Sequence, residues 1–157
     1  MTSRGRSLHV WVRSMSRGRA LCYSVGMSPT EANFEDCRIL VVDDNVDAAD
    51  TLVSLLDLFG FKAYAVYDGE HAVLATEALR AKLVFVDIDM PGMDGYETAA
   101  CIRRAEADES IKLVALTARN SAVDRALSTS VGFDLHVQKP IGSRQLVQLA
   151  TSACPKR

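Results

Sequence analysis

The chain has 157 residues, of which 48% are hydrophobic and 24% charged, which is sufficient for one globular domain with a sizeable core. No apolar run approaches the roughly 18 residues that a membrane-spanning helix needs, so we expect a cytoplasmic protein without a membrane partner. Residues 1–30 hold five arginines and no acid, whereas the rest of the chain carries 13 Lys and Arg against 20 Asp and Glu, a formal charge of −7. An acidic body of this kind argues against direct binding of nucleic acid.

The first 36 residues differ from the rest in composition. Residues 1–36 are rich in Ser, Arg and Gly and show no sustained hydrophobic period, which predicts a disordered basic extension. Three interpretations remain: an artefactual extension with Met27 as the true start, an organellar targeting peptide, or a basic arm that binds anionic surfaces. One short apolar cluster, at 10–12, interrupts the polar composition, which favours the first interpretation or a tail without a function.

The four cysteines lie far apart in the sequence, and none forms a CxxC motif or a Cys/His pair that would indicate a zinc site. They are Cys22, Cys37, Cys101 and Cys154. For a cytoplasmic protein, this spacing predicts reduced thiols rather than a disulfide.

From Cys37 onwards, predicted strands and helices alternate. The strands are apolar and rich in β-branched residues, and the helices repeat apolar residues at helical spacing. The predicted strands are 38–42, 62–67, 83–86, 112–116 and 134–138, and the helices that follow them are 45–59, 70–80, 95–105, 122–131 and 143–151. This alternation predicts an α/β fold: a flavodoxin-like, doubly wound, five-stranded parallel sheet with helices on both faces and strand order 2-1-3-4-5. We place this domain at 37–153.

Four of the predicted strands end in polar groups that could act together. The first is followed by Asp43 and Asp44, the third by Asp87, the fourth by Thr117 and the fifth by Lys139. Because parallel strands place their carboxyl ends at one edge of a sheet, these groups are expected to converge. Three crowded carboxylates repel, and Mg²⁺ relieves that repulsion by binding their oxygens. The hydroxyl and the ammonium are the partners that a phosphoryl group on Asp87 would need.

Each of these residues also has an ordinary structural explanation. A carboxylate after a strand can cap a loop, and the pair Asp43–Asp44 can complement the dipole of the helix that follows. Thr117 can be a β-branched strand residue and Lys139 a surface lysine. The recurrence of such groups at four strand ends favours a shared site.

Four sequence motifs resemble those of the receiver domain of two-component response regulators, in the family's order and spacing, between residues 37 and 151. They are VVDDN at 41–45, VFVDIDMPGMDGYE at 84–97, LVALTA at 113–118 and GFDLHVQKP at 132–140. The resemblance implies that Asp87 is the phosphoacceptor. It also implies that Mg²⁺ is held by Asp43, Asp44, Asp87 and the backbone carbonyl of Asp89, whose side chain points elsewhere and influences dephosphorylation.

The resemblance further implies that Thr117 is a switch hydroxyl and that Lys139 pairs with the phosphoryl group, with Pro140 following it through a cis bond. The position three residues before the lysine is usually Tyr or Phe in the family and is His136 here. A histidine could swing between two rotamers and make the switch sensitive to pH, or it could be a partly exposed strand residue without a signalling role.

The resemblance implies a phosphoryl-accepting switch rather than a turnover enzyme, one that assists its own phosphorylation and dephosphorylation. A histidine kinase or a histidine phosphotransfer protein would donate to Asp87 in a Mg²⁺-dependent step. The signal would pass to a downstream protein target through the face built from the fourth helix, the fifth predicted strand and the fifth helix. We expect no output domain in this chain, no direct contact with nucleic acid, and a monomer or weak dimer.

Two alternatives remain. VFVDIDM at 84–90 overlaps the DxDx[TV] motif of haloacid-dehalogenase-type phosphatases, in which Asp87 would be the nucleophile and Asp89 the general acid. In this chain, however, the acidic pair precedes the nucleophile, and Met90 stands where the motif has Thr or Val. The second alternative is a receiver fold that serves only as a docking module and is not phosphorylated.

Overall fold

The computed structural model describes residues 9–14, 19–24, 37–105 and 110–155. These residues form seven strands and five helices. The elements are β1 (His9–Ser14), β2 (Arg19–Ser24), β3 (Arg38–Val42), α1 (Val46–Leu58), β4 (Lys62–Val66), α2 (Gly69–Leu79), β5 (Leu83–Asp87), α3 (Gly95–Ala105), β6 (Lys112–Thr117), α4 (Ala122–Val131), β7 (Leu135–Gln138) and α5 (Ser143–Ala153).

The strands form one sheet in the order β2-β1-β4-β3-β5-β6-β7. The five strands from β4 to β7 in this order are parallel to one another. If these five strands are numbered 1 to 5 in chain order, starting at β3, they lie in the order 2-1-3-4-5. The predicted flavodoxin-like sheet is therefore confirmed. β3 and β5 are neighbours at the point where the winding direction reverses, which brings their carboxyl ends together.

The central strands are buried on both faces, which explains their nearly continuous apolar sequence. In β3, Leu40 and Val42 belong to the hydrophobic cluster that packs against α2 and α3, whereas Ile39 and Val41 belong to the cluster that packs against α1 and α5. This alternation follows from the two-residue period of a strand. None of the helices in the described part of the chain has the length and apolar character needed to cross a membrane.

The N-terminal region departs from the prediction of a disordered extension. β1 and β2 pair with each other in antiparallel fashion, and β1 also pairs with β4, with Arg13 opposite Ala65. Both segments contain β-favouring residues, at 10–12 and at 21–23, and β4 would otherwise offer an unpaired edge. The apolar runs are too short to stand out against the Arg and Ser around them. The remaining predicted extension, at 1–8, 15–18 and 25–36, lies outside the described residues.

The prediction of reduced cysteines is wrong for two of the four. Cys37 and Cys154 form a disulfide, with Cα atoms 5.5 Å apart. Their separation of 117 residues hides this pairing from the sequence, because only the folded sheet brings the start of β3 beside the end of α5. Cys101 on α3 is a free thiol.

Candidate functional site

Three carboxylates meet at the carboxyl edge of the sheet. Asp43 and Asp44 follow β3, and Asp87 ends β5, the strand paired with it. One oxygen from each carboxylate lies within 4.8 Å of the other two. Asp43 and Asp87 are only 1% and 5% exposed, whereas Asp44 is open to solvent. The structure therefore brings together the three acids that the sequence placed at neighbouring strand ends.

Lys139 supplies the positive charge of this cluster. Its Nζ donates to Asp43 Oδ2 at 2.8 Å and lies 3.0 Å from Asp87 Oδ1. Its backbone N–H donates to the Thr117 carbonyl at 2.8 Å, and the Lys139–Pro140 peptide bond is cis. The backbone of Lys139 is thus held by β6, and its side chain reaches the acids at the ends of β5 and β3, so it is not the free surface lysine that was its ordinary alternative.

Thr117 ends β6, the strand on the other side of β5. It is buried, and it lies one residue beyond Leu116, the register partner of Asp87. Its Oγ1 accepts a hydrogen bond of 3.0 Å from the backbone N–H of Arg119. The hydroxyl is therefore near the acidic cluster in the sheet, but in this structure it is engaged with its own loop.

Burial and charge shift the ionisation of both central groups. Burial raises the pKa of Asp87 above its ordinary value of 3.8, and the Asp43 charge adds to that rise. Hydrogen bonding and charge from Lys139, with the backbone N–H of Asp89, act in the opposite direction. For Lys139, burial lowers the pKa, but hydrogen bonds and charges from Asp43 and Asp87 outweigh it and raise the pKa. The site therefore holds a charged ammonium beside two acids, Asp43 and Asp87, whose negative charges repel each other.

Replacing Asp87 with asparagine is expected to stabilise the metal-free protein. Because its pKa is raised, the folded state binds this proton more readily than the unfolded chain. As pH falls through the raised value towards 3.8, the contribution of Asp87 to the free energy of unfolding therefore increases, and at neutral pH the charge weakens the fold. In urea unfolding with a metal chelator present, Asp87→Asn should have a higher midpoint than the unchanged chain at neutral pH. On mild acidification, its midpoint should rise less than that of the unchanged chain.

Asp68→Asn is the matched control for this measurement, because Asp68 also follows a parallel strand but is 48% exposed and caps α2. We expect little change in its unfolding midpoint, since asparagine caps a helix about as well as aspartate. A lower midpoint for Asp87→Asn than for the unchanged protein would contradict the burial argument.

Asp89 faces away from the acidic cluster. Its Oδ1 lies 3.2 Å from Nη2 of Arg119, and both side chains are substantially exposed. The pair links the loop after β5 to the loop after β6. A role for Asp89 as a metal ligand through its backbone carbonyl remains a prediction.

His136 contacts the same loop. Its Nε2 lies 3.0 Å from the Arg119 carbonyl, which can only accept, so Nε2 carries a proton. Its Nδ1 lies 2.9 Å from Oγ of Ser128 on α4. The backbone of Arg119 therefore joins the two side chains: its carbonyl contacts His136, and its N–H donates to Thr117. Arg119 and Ser128 were missed by sequence reasoning, because nothing in their local sequence marks them as partners of a histidine on β7.

The donor set fits Mg²⁺. Two buried carboxylates and one exposed carboxylate offer hard oxygen ligands, and the exposed side leaves room for water and substrate oxygens. A divalent cation would also relieve the repulsion that contributes to the raised pKa of Asp87.

Comparison with known proteins agrees with this fold. The model of the response regulator receiver domain family matches residues 39–151. The DNA-binding response regulator MtrA of Mycolicibacterium paratuberculosis is 37% identical over 110 residues, which are 70% of this chain and 48% of that protein. The sensory transduction protein RegX3 of Mycolicibacterium smegmatis is 35% identical over 109 residues, 69% of this chain and 46% of that protein. The chain spans about half the length of these curated relatives.

Solved structures show the same architecture. The chemotaxis protein CheY4 of Vibrio cholerae superposes with a TM-score of 0.70 at 21% identity, covering 75% of this chain and 98% of that one. A CheY-like receiver domain protein of Methanospirillum hungatei gives 0.69 at 23% identity, covering 74% and 92%. The fold is thus that of CheY-like receivers. The chain belongs to the response regulator receiver domain family of two-component signalling, a family of phosphoacceptor modules, which confirms the resemblance seen in the sequence.

Proposed function

We propose that Asp87 accepts a phosphoryl group from the phosphohistidine of a histidine kinase or a histidine phosphotransfer protein. A carboxylate oxygen of Asp87 would attack phosphorus, the phosphorus–nitrogen bond would break, and an acyl phosphate would form. The observation that carries this proposal is the position of the Lys139 ammonium, 2.8 Å from Asp43 and 3.0 Å from Asp87 in a largely buried acidic cluster. This arrangement offers a nucleophile with a fixed cation beside it.

We propose that Asp43, Asp44 and Asp87, with the backbone carbonyl of Asp89, hold Mg²⁺, which when bound neutralises charge on the transferring group. Lys139 would remain charged, as its raised pKa requires, and would pair with a phosphoryl oxygen in place of the Asp87 oxygen. Thr117 would exchange its hydrogen bond with Arg119 for one to the phosphoryl group, and the loop at 118–121 would move with it.

The signal is proposed to leave through the face formed by α4, β7 and α5. Val123, Leu127 and Leu135 are exposed on α4 and β7, which supports a protein rather than a nucleic acid as the downstream target. His136 lies under this face, between the Thr117 loop and Ser128 of α4, and is proposed to transmit the movement of Thr117. We further propose that the receiver unit spans 37–153, works in the cytoplasm and is a monomer or weak dimer.

The experiment is incubation of the full chain with a small acyl phosphate as phosphodonor, with and without Mg²⁺, followed by intact mass. We expect the mass of one phosphoryl group to be added, only with Mg²⁺, and none to be added to Asp87→Asn. Asp68→Asn is the control, because it removes a carboxylate at a strand end outside the acidic cluster. Equal addition to Asp87→Asn, or no addition to the unchanged chain, would contradict the proposal.

The same experiment separates the two alternatives. Failure of the unchanged, folded chain to take up phosphate would favour the docking module. Sustained hydrolysis of a general phosphomonoester would favour the phosphatase. The second outcome is not expected, because Asp89, which would have to be the general acid, is exposed and paired with Arg119 rather than directed into the acidic cluster.

A further inference from the structure

We propose that Cys37 and Cys154 form a reversible redox lock that fastens the end of α5 to the start of β3. The bond lies at the amino edge of the sheet, opposite the acidic cluster. Cys37 precedes β3, whose other end leads to Asp43, and Cys154 follows α5. This proposal does not depend on phosphorylation of Asp87.

The position of Cys154 indicates that the fold itself places the two cysteines side by side. It is 4% exposed and continues the buried stripe of α5 that contains Leu146 and Ala150, at a spacing of four residues. This stripe packs in the same cluster as Ile39 and Val41 of β3, so the helix end and the strand start are held together before any bond forms. Cα atoms 5.5 Å apart are within the range that a disulfide requires.

Cys37 gives the bond a route to solvent. It is partly exposed, whereas Cys154 is buried, so a dissolved reagent reaches the first thiol and the second completes the exchange. Reactivity of a thiol follows its access and its thiolate fraction. Cys37 is therefore the cysteine that reacts first with a dissolved reagent, and Cys154 is the one that resolves the mixed disulfide.

A low-molecular-weight disulfide is the oxidant that accepts the two electrons in this exchange. The Cys37 thiolate attacks that disulfide, forms a mixed disulfide and releases one small thiol. The Cys154 thiolate then attacks Sγ of Cys37, forms the protein disulfide and releases the second small thiol. The two protein thiols lose two protons and two electrons in total, and a dithiol reductant reverses the reaction.

The disulfide should restrict the movement of α5. The helix begins at Ser143, four residues after Lys139, so one end is connected to the acidic cluster and the other end carries the disulfide. A bond that closes 117 residues removes many conformations from the unfolded chain and opposes local opening of the segment it fastens. Oxidation should therefore hold α5 against β3, and reduction should release it.

The test uses the full chain carrying Cys22→Ser and Cys101→Ser, so that only the proposed pair can react. The protein is equilibrated with mixtures of oxidised and reduced glutathione, quenched, alkylated and mapped by peptide mass. We expect Cys37 and Cys154 to pass together from alkylated to cross-linked as the mixture becomes oxidising. Hydrogen exchange of the α5 amides should be about tenfold or more faster in the reduced protein.

Cys37→Ser in the same background is the matched control. Its α5 exchange should equal that of the reduced protein and should not respond to glutathione. Full alkylation of both cysteines under oxidising conditions would overturn the proposal. So would a bond that forms without slowing exchange in α5, or one that a dithiol cannot reduce in the native protein.

Discussion

Replacing Lys139 with methionine is expected to slow phosphorylation by a small acyl phosphate about 10²-fold or more. Methionine keeps much of the length of the side chain but removes the ammonium that lies 2.8 Å from Asp43 and 3.0 Å from Asp87. Without it, only the proposed Mg²⁺ would offset the negative charge of the acids and of the phosphoryl group. Removal of one fixed donor from a charged transition state typically costs about 10²–10³ in rate.

The measurement is the rate of mass gain at saturating Mg²⁺. Lys82→Met is the matched control, because Lys82 is an exposed lysine at the opposite edge of the sheet, where its Nζ donates to Ser110 at 3.3 Å. Its rate should be unchanged. If Lys139→Met, shown to be folded by circular dichroism, were phosphorylated as fast as Lys82→Met, Lys139 would have no part in the transfer.

Replacing Gly95 with alanine is expected to lower the free energy of unfolding by about 2–3 kcal/mol. A Cβ at this position would lie 2.4 Å from the carbonyl oxygen of Asp87 and 2.6 Å from Cα of Ile88. Both are backbone atoms, so no side chain can rotate aside, and either the start of α3 or the loop that carries Asp87 must move. Because the Gly95 N–H also donates to the Ile88 carbonyl at 3.0 Å, the displacement should also disturb Asp87, the proposed phosphoacceptor.

Urea unfolding and the phosphorylation rate together check this expectation. Gly142→Ala is the matched control, since a Cβ there meets nothing within 4 Å and its φ of −73° suits alanine. As a change at the N-cap of α5, it should cost no more than about 1 kcal/mol. Equal stability and equal rate for Gly95→Ala and the unchanged chain would show that the contact between α3 and the Asp87 loop is looser than these distances require.

The sequence predicted the parallel sheet because its cues are local. Each core strand is a short apolar run, and each run ends within one or two residues of an acid, a hydroxyl, a glycine or a proline. These signals need only a few neighbouring residues. The doubly wound topology then follows from the handedness of the crossovers, so the meeting of Asp43, Asp44 and Asp87 could be expected from the sequence.

The N-terminal strands illustrate where such cues fail. Residues 9–14 and 19–24 carry short apolar runs within an Arg- and Ser-rich region, and their pairing depends on an edge that β4 offers only after the sheet has formed. A local pattern cannot report the presence of that edge. The local sequence therefore indicated disorder at positions where the folded chain has two strands.

The sequence by itself determined the fold class, the order of the core strands and the set of acids and the lysine that could form a site. Only the tertiary structure decided which atoms meet: Lys139 with Asp43 across 96 residues, and Cys37 with Cys154 across 117. The physical reason is one of range. Backbone propensity and hydrophobic period act over a few residues, whereas these contacts depend on how distant segments pack once the chain has closed its long loops.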